Sequence, residues 1–180
     1  MIELSQPFGE HAATNHKSVP PLTFMDRVVQ EGIRIDCVGL QLLFGQQGAG
    51  RASRDIMQIS DLVDRFLVLE MPVVISAFGV PSNPIDQGGG WWRSPWSAAA
   101  QSRWMSRVFA VAMSKPFVET LIWTDLYDDP ASDLPSGGLV SDTGHAKPVL
   151  QRLVNTRKRL RKPLGPLAAG RRGSPLPAND

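Results

Sequence analysis

The chain has 180 residues, 42% of them apolar and 20% charged, with a net charge of +2 and one cysteine. That length supports one domain with its own core, and the balance is too weakly basic to imply nucleic acid. A single Cys37 excludes an intrachain disulfide and a cysteine zinc site, and no apolar run approaches the ~18 residues of a membrane-crossing helix. Met1-Ile-Glu-Leu-Ser-Gln-Pro7 lacks the charged and apolar regions of a signal peptide. Neither a membrane nor a nucleic acid is therefore expected as a partner.

Ile2 to Gln6 predicts a short strand, ended by Pro7 and Gly9. A polar loop with Glu10, His11 and His16 follows. Pro20-Pro21 opens a helix on which Leu22, Met25, Val28 and Val29 recur to about Gln30, with Gly32 as its stop. Ile33 to Gln41 predicts a second strand, in which Cys37 is a small buried hydrophobe. Gly45 to Gly50 reads as a turn, since its glycine order is not a dinucleotide fingerprint and no phosphate-binding lysine follows. Ser53 is the expected N-cap of a helix whose apolar face is Ile56, Ile59, Leu62, Val63 and Phe66. Asp55, Asp61 and Asp64 fall largely off that face, as solvated charges.

Pro72 to Ser82 opens with the apolar run of a buried parallel strand and breaks at Gly79 and Pro81. A long loop with Gly88-Gly-Gly90 and Trp91-Trp92 leads to Ser94-Pro95, a cap residue followed by proline at a helix start. Trp96, Trp104, Met105, Val108 and Phe109 mark that helix to about Met113, with Trp96 and Trp104 expected in the core. Phe117 to Trp123 predicts a fourth strand. A loop rich in Asp, Pro and Gly then reaches a last helix from about Lys147 to Arg161. Its basic run, Arg157 to Lys162, suits the negative end of the helix dipole. Residues 163–180, with Pro, Gly and Arg prominent, are expected to be a disordered tail behind a domain of residues 1–162.

The order is βα four times, with strand starts roughly 30 to 45 residues apart, the spacing of βαβ units. Such repeats give an α/β fold with a parallel sheet, either a small open doubly wound sheet or half of a (β/α)8 barrel. In both, chemistry sits at the carboxyl ends of the strands. Beyond Ile75 that end carries Ser76, Ala77 and Gly79, none of them a carboxylate. Ser76 has no base beside it in sequence. The same rim holds Glu10 after the first strand and Asp125, Asp128 and Asp129 after the fourth, so Glu10 with Asp125 is the acid pair to nominate. Glu70 precedes its strand and belongs to the opposite end. His11, His16 and His145 lack the i, i+4 spacing of a helical metal pair, and neither metal nor cofactor is expected.

Ile35-Asp-Cys-Val-Gly-Leu-Gln41 resembles the sixth-strand motif of glycoside hydrolase family 10, the retaining endo-β-1,4-xylanases. Pro72 to Val80 looks like that family's seventh strand, and Ile122-Trp123-Thr-Asp125 like its eighth. Gly138-Leu139-Val140 and Lys147-Pro148 resemble the segment that enters the final helix, and Ile2 to Gln6 falls where the fifth strand belongs. The resemblance runs over about residues 1–160 and implies strands five to eight of a TIM barrel. It implies a mechanism with two carboxylates roughly 5 Å apart across the scissile bond. The family's acid/base glutamate ends strand four, which this chain does not contain. Its nucleophile position is occupied by Ala77, and its histidine after strand six by Leu43. The second tryptophan of the eighth-strand loop has no clear match.

What persists is the sugar-binding set. Gln41 matches the family glutamine, and Trp123 matches the platform tryptophan, unless Trp123 is a barrel-core residue. Trp91 and Trp92 are either a sugar-stacking lip or a cover for the sheet edge. The resemblance thus implies a truncated or degenerate relative of xylan-degrading enzymes, inactive as this chain alone, with a β-1,4-linked polysaccharide or oligosaccharide as ligand. Two alternatives stay open: a non-catalytic carbohydrate-binding remnant, and an unrelated open α/β interaction domain. A half-barrel leaves two sheet edges unpaired, which implies self-association. The compartment is left open, because a signal peptide would lie with the N-terminal half.

Overall fold

A computed structural model describes residues 1–46, 54–84 and 95–161. Four strands, β1 (Ile2–Leu4), β2 (Val38–Leu43), β3 (Val73–Gly79) and β4 (Val118–Trp123), form one sheet in the order β1-β2-β3-β4, every pair parallel. Between and after them lie α1 (Glu10–Thr14), α2 (Pro21–Gln30), α3 (Ile56–Arg65, continued by a 3₁₀ turn over Phe66–Leu69), α4 (Ala98–Met113) and α5 (Pro148–Leu160). The expected α/β architecture of four βα units is the observed one.

Register and burial together assign the two faces of the sheet. Val38, Leu40 and Leu42 of β2 are sealed and pair with Val73, Ile75 and Phe78 of β3, which are sealed as well. These join Met25 of α2, Ile59, Leu62 and Val63 of α3, and Ala100, Trp104, Met105 and Val108 of α4 in one core. Trp96 and Trp104 lie in it as expected, their rings 5.9 Å apart. The intervening residues, Glu3, Gly39, Gln41, Leu43, Val74 and Thr120, belong to the other face. There the larger side chains are exposed or half-buried.

Helix ends follow local chemistry. After α2 the Gly32 amide donates to the Val29 carbonyl and the Ile33 amide to that of Val28, with Gly32 at φ 72°. This is the paired C-terminal arrangement that favours glycine. The cap of α3 is Asp55, not Ser53, which lies outside the described residues. Its Oδ1 accepts from the Met57 and Gln58 amides at 2.8 and 2.9 Å while Gln58 Oε1 accepts from the Asp55 amide at 3.0 Å, a closed capping box. Helix α4 starts three residues later than Ser94-Pro95 implies, because Ser97 Oγ accepts from the Ala100 amide at 3.2 Å.

Two further expectations are corrected. Residues 33–37 are not strand: β1 offers partners only from Val38 onward, and Ile33, Arg34 and Asp36 are exposed. Cys37 is half-buried. The polar loop after β1 contains the short helix α1. Asp64 is not merely solvated, since Lys115 Nζ donates to its Oδ1 at 2.6 Å and ties the approach to β4 to the end of α3. No described helix is long and apolar enough to cross a membrane. The predicted tail at residues 163–180 lies outside the described residues.

Candidate functional site

The carboxyl ends of β1, β2, β3 and β4 make one rim, and its floor is set by an irregularity in β3. Leu40 pairs with Ile75 but Gln41 pairs with Ala77, so Ser76 is an extra residue between two ladder positions. Such a bulge turns two adjacent side chains toward the same face. Ala77 shares the uncovered face with its partner Gln41. Ser76 does too, because its Oγ lies 3.3 Å from where a Cβ on Gly39 would stand. The structure therefore brings Gln41, Ser76 and Ala77 together. Gln41 is half-buried, and Ala77 is nearly sealed by its small size.

Trp123 closes the fourth strand in register with Phe78, and the two rings meet edge to face at 5.2 Å. Its indole Nε1 donates to the Gly137 carbonyl at 3.0 Å, so its polar atom is bound to the loop after β4 while the ring remains half-buried. Leu43 lies with Leu134 over Gly79. A Cβ on Gly79 would stand 2.9 Å from the Leu134 Cδ2 methyl and 3.2 Å from that of Leu43, so a larger residue would push these methyls aside. Trp91 and Trp92 lie outside the described residues.

The nominated acids come from the two edge strands: Glu10 begins α1 after β1, and Asp125 follows β4. Asp125 Oδ2 accepts from Ser132 Oγ at 3.0 Å, and Glu10 makes no side-chain hydrogen bond. No group of three or more His, Cys, Asp and Glu suited to a metal occurs among the described residues.

Sequence reading missed a buried polar knot under the rim. Lys147 Nζ donates to Asp128 Oδ1 at 2.5 Å, to Ser82 Oγ at 2.9 Å and to the Ser136 carbonyl at 3.2 Å. Gln101 of α4, fully buried, donates from Nε2 to the carbonyls of Val80 at 3.0 Å and Gly138 at 3.3 Å. Asp128 Oδ1 also accepts the Gly138 amide at 2.9 Å. Gly138 passes so close to Tyr127 and Asp128 that a Cβ would meet their backbone at 2.4 Å. Ser82 and Lys147 stand at the distance of a nucleophile and its base. The Asp128 carboxylate, however, takes the ammonium as an ion pair, so the amine does not serve as a base. The knot positions: it welds the loop after β4 to the end of β3 and to α4. Its only sequence signal is Lys147-Pro148, whose partners lie 19 and 65 residues away.

Four polar atoms along the rim and its floor are buried without a hydrogen-bond partner: Gln6 Oε1, Glu10 Oε2, Gln46 Oε1 and Ser76 Oγ. Buried polar groups are ordinarily satisfied, and each orphan costs on the order of 1–3 kcal/mol. The cluster runs from the end of β1 across β2 to the β3 bulge.

No protein-family model matches the chain, and no curated protein matches it. Solved structures do match. Xylanase 10B of Thermotoga maritima superimposes with a TM-score of 0.58 at 14% identity, over 77% of this chain and 41% of that one. A family-10 glycoside hydrolase of Paenibacillus barcinonensis gives 0.56 at 17% identity, over 76% and 41%. A β-glucuronidase of Ruminococcus gnavus gives 0.50 at 19%, over 71% and 23%. At these identities the likeness is one of fold. The chain spans about two fifths of the xylanase structures' length.

Breaking the knot tests its weight. Lys147→Met should strand a buried carboxylate at Asp128 and lower unfolding stability by about 3–5 kcal/mol. Urea denaturation followed by tryptophan fluorescence measures it, and a loss below about 1 kcal/mol would mean the pair is effectively solvated.

Proposed function

We propose that this chain is a half-barrel of the family-10 glycoside hydrolase type that binds β-1,4-linked xylo-oligosaccharide on its rim and does not hydrolyse it unaided. The observation that carries the reading is the set of orphaned polar atoms at Gln6, Glu10 and Gln46, which follow β1 and β2, and at Ser76 in the β3 bulge, on a fold shared with xylanases. Amide and carboxylate oxygens at Gln6, Glu10 and Gln46, with the Ser76 hydroxyl, are the groups that take sugar hydroxyls. Another xylanase 10B, from Thermotoga petrophila, shares the fold at a TM-score of 0.58 and holds xylobiose. Trp91 and Trp92 are assigned here to the stacking of sugar rings, while Trp123, in register with core-facing Phe78, is read as packing.

Chemistry is another matter. Retaining hydrolysis needs an ionised carboxylate about 5 Å from a protonated one. Ala77 presents a methyl group, which neither attacks an anomeric carbon nor stabilises positive charge. With Ala77 in the nucleophile's place, this reading has the chain bind a glycan without the constellation that cleaves it.

Titration with xylohexaose should give binding at millimolar ligand or below, weakened roughly threefold to tenfold by Gln41→Ala, the scale of one hydrogen bond. No binding at millimolar ligand would remove the reading. Restoring the acid is a second test. Ala77→Glu in a chain completed by the four N-terminal βα units of a family-10 enzyme should gain hydrolysis, and a folded but inert product would refute the strand alignment. The two edge strands and the uncovered face should also make the isolated chain self-associate. Sedimentation analysis showing a monomer across a wide concentration range would oppose the half-barrel.

A further inference from the structure

Charge in the helical layer is segregated. Residues 95–114 and 148–161 contain no Asp or Glu. On α4 and α5 they carry Arg103, Arg107, Arg152, Arg157, Lys158 and Arg159, all exposed. The acids of the layer gather elsewhere, with Asp55 capping α3 and Asp61 and Asp64 upon it. The weak net charge of the whole chain conceals this division.

Between α4 and α5 runs a groove of about 630 Å³. Ser102 and Ser106 line one wall, and Arg152, Asn155, Thr156 and Arg159 the other. Arg152 and Arg159 are seven residues apart on one helix, so their guanidinium groups issue from the same wall two turns, about 10.5 Å, apart. Arg152 Nη1 donates to Ser106 Oγ at 3.3 Å, which orients that guanidinium across the groove. No aromatic side chain lines the groove. Single-stranded nucleic acid, which binds by stacking its bases on aromatic rings, has no platform there.

We propose that this groove binds an extended acidic glycan of β-1,4 linkage, with Arg152 and Arg159 each pairing with a carboxylate. An arginine fork fits a carboxylate with two parallel hydrogen bonds. Asn155, Thr156, Ser102 and Ser106 take the hydroxyls between them. Successive sugars in a β-1,4 chain alternate in orientation, so acids on every second sugar fall on one side, at a repeat close to two helical turns. The proposal rests on the carbohydrate reading above but uses a separate surface, away from Gln41.

Calorimetric titration of the full chain with a β-1,4-linked hexaglucuronate tests it. Binding should weaken roughly tenfold in Arg152→Gln and again in Arg159→Gln, and should fall as salt rises from low to physiological strength. Arg27→Gln on α2 should leave it unchanged. Xylohexaose binding should respond to Gln41→Ala and not to the arginine variants; its absence with hexaglucuronate binding intact would remove the rim reading alone. Three outcomes would overturn the groove proposal: no hexaglucuronate binding, binding indifferent to both arginines, or equal or tighter arginine-dependent binding of an oligothymidylate of the same charge.

Discussion

Parallel strands laid side by side in chain order and joined by right-handed crossovers receive their helices on one face only. That constraint governs this molecule. One face of the sheet is covered by α2, α3 and α4, and the large side chains of β2 and β3 pointing that way are buried. The other face meets no helix among the described residues, and it is lined at its centre by small residues, Gly39, Ser76, Ala77 and Gly79. In a closed barrel this second face is the packed interior. The coverage of about two fifths of each xylanase structure is the same fact measured on another molecule.

The rim is held in shape by electrostatics as well as by packing. The ion pair between Lys147 and Asp128 is nearly out of solvent, and such a pair contributes less through attraction than through the cost of separating it. With Gln101 gathering the carbonyls of Val80 and Gly138, it fixes the loop after β4 against the end of β3. Gln41 and Ser76, on the uncovered face, therefore sit on a floor whose walls are braced from behind.

Much of the fold was legible because its signals are local. Apolar runs located β2, β3 and β4 to within a few residues, and Gly32 marked a helix end by its own conformational freedom. The misplaced boundaries arose where several residues could do one job. Asp55 outcompetes Ser53 as a cap because Gln58 completes its box, and Ser97 displaces Ser94. The strand expected from Ile33 fails for a tertiary reason, since β1 begins only opposite Val38. The site was legible in part: Gln41 and Ala77 could be placed on one strand end each, but their pairing is a matter of register. The Lys147 knot and the basic groove were not legible, because their members come from distant segments and meet only after folding.

The bulge in β3 leaves two neighbouring positions interchangeable. Deleting or adding one residue inside a strand normally inverts every side chain beyond it. Here the extra residue is absorbed locally: Phe78 returns to the core side opposite Leu42, and Gly79 continues in register with Leu43. Two neighbouring positions, Ser76 and Ala77, consequently look out on the same ground. A sequence alignment along this strand can slip by one without disturbing the architecture. A side chain introduced at either of two adjacent positions would face the same ground.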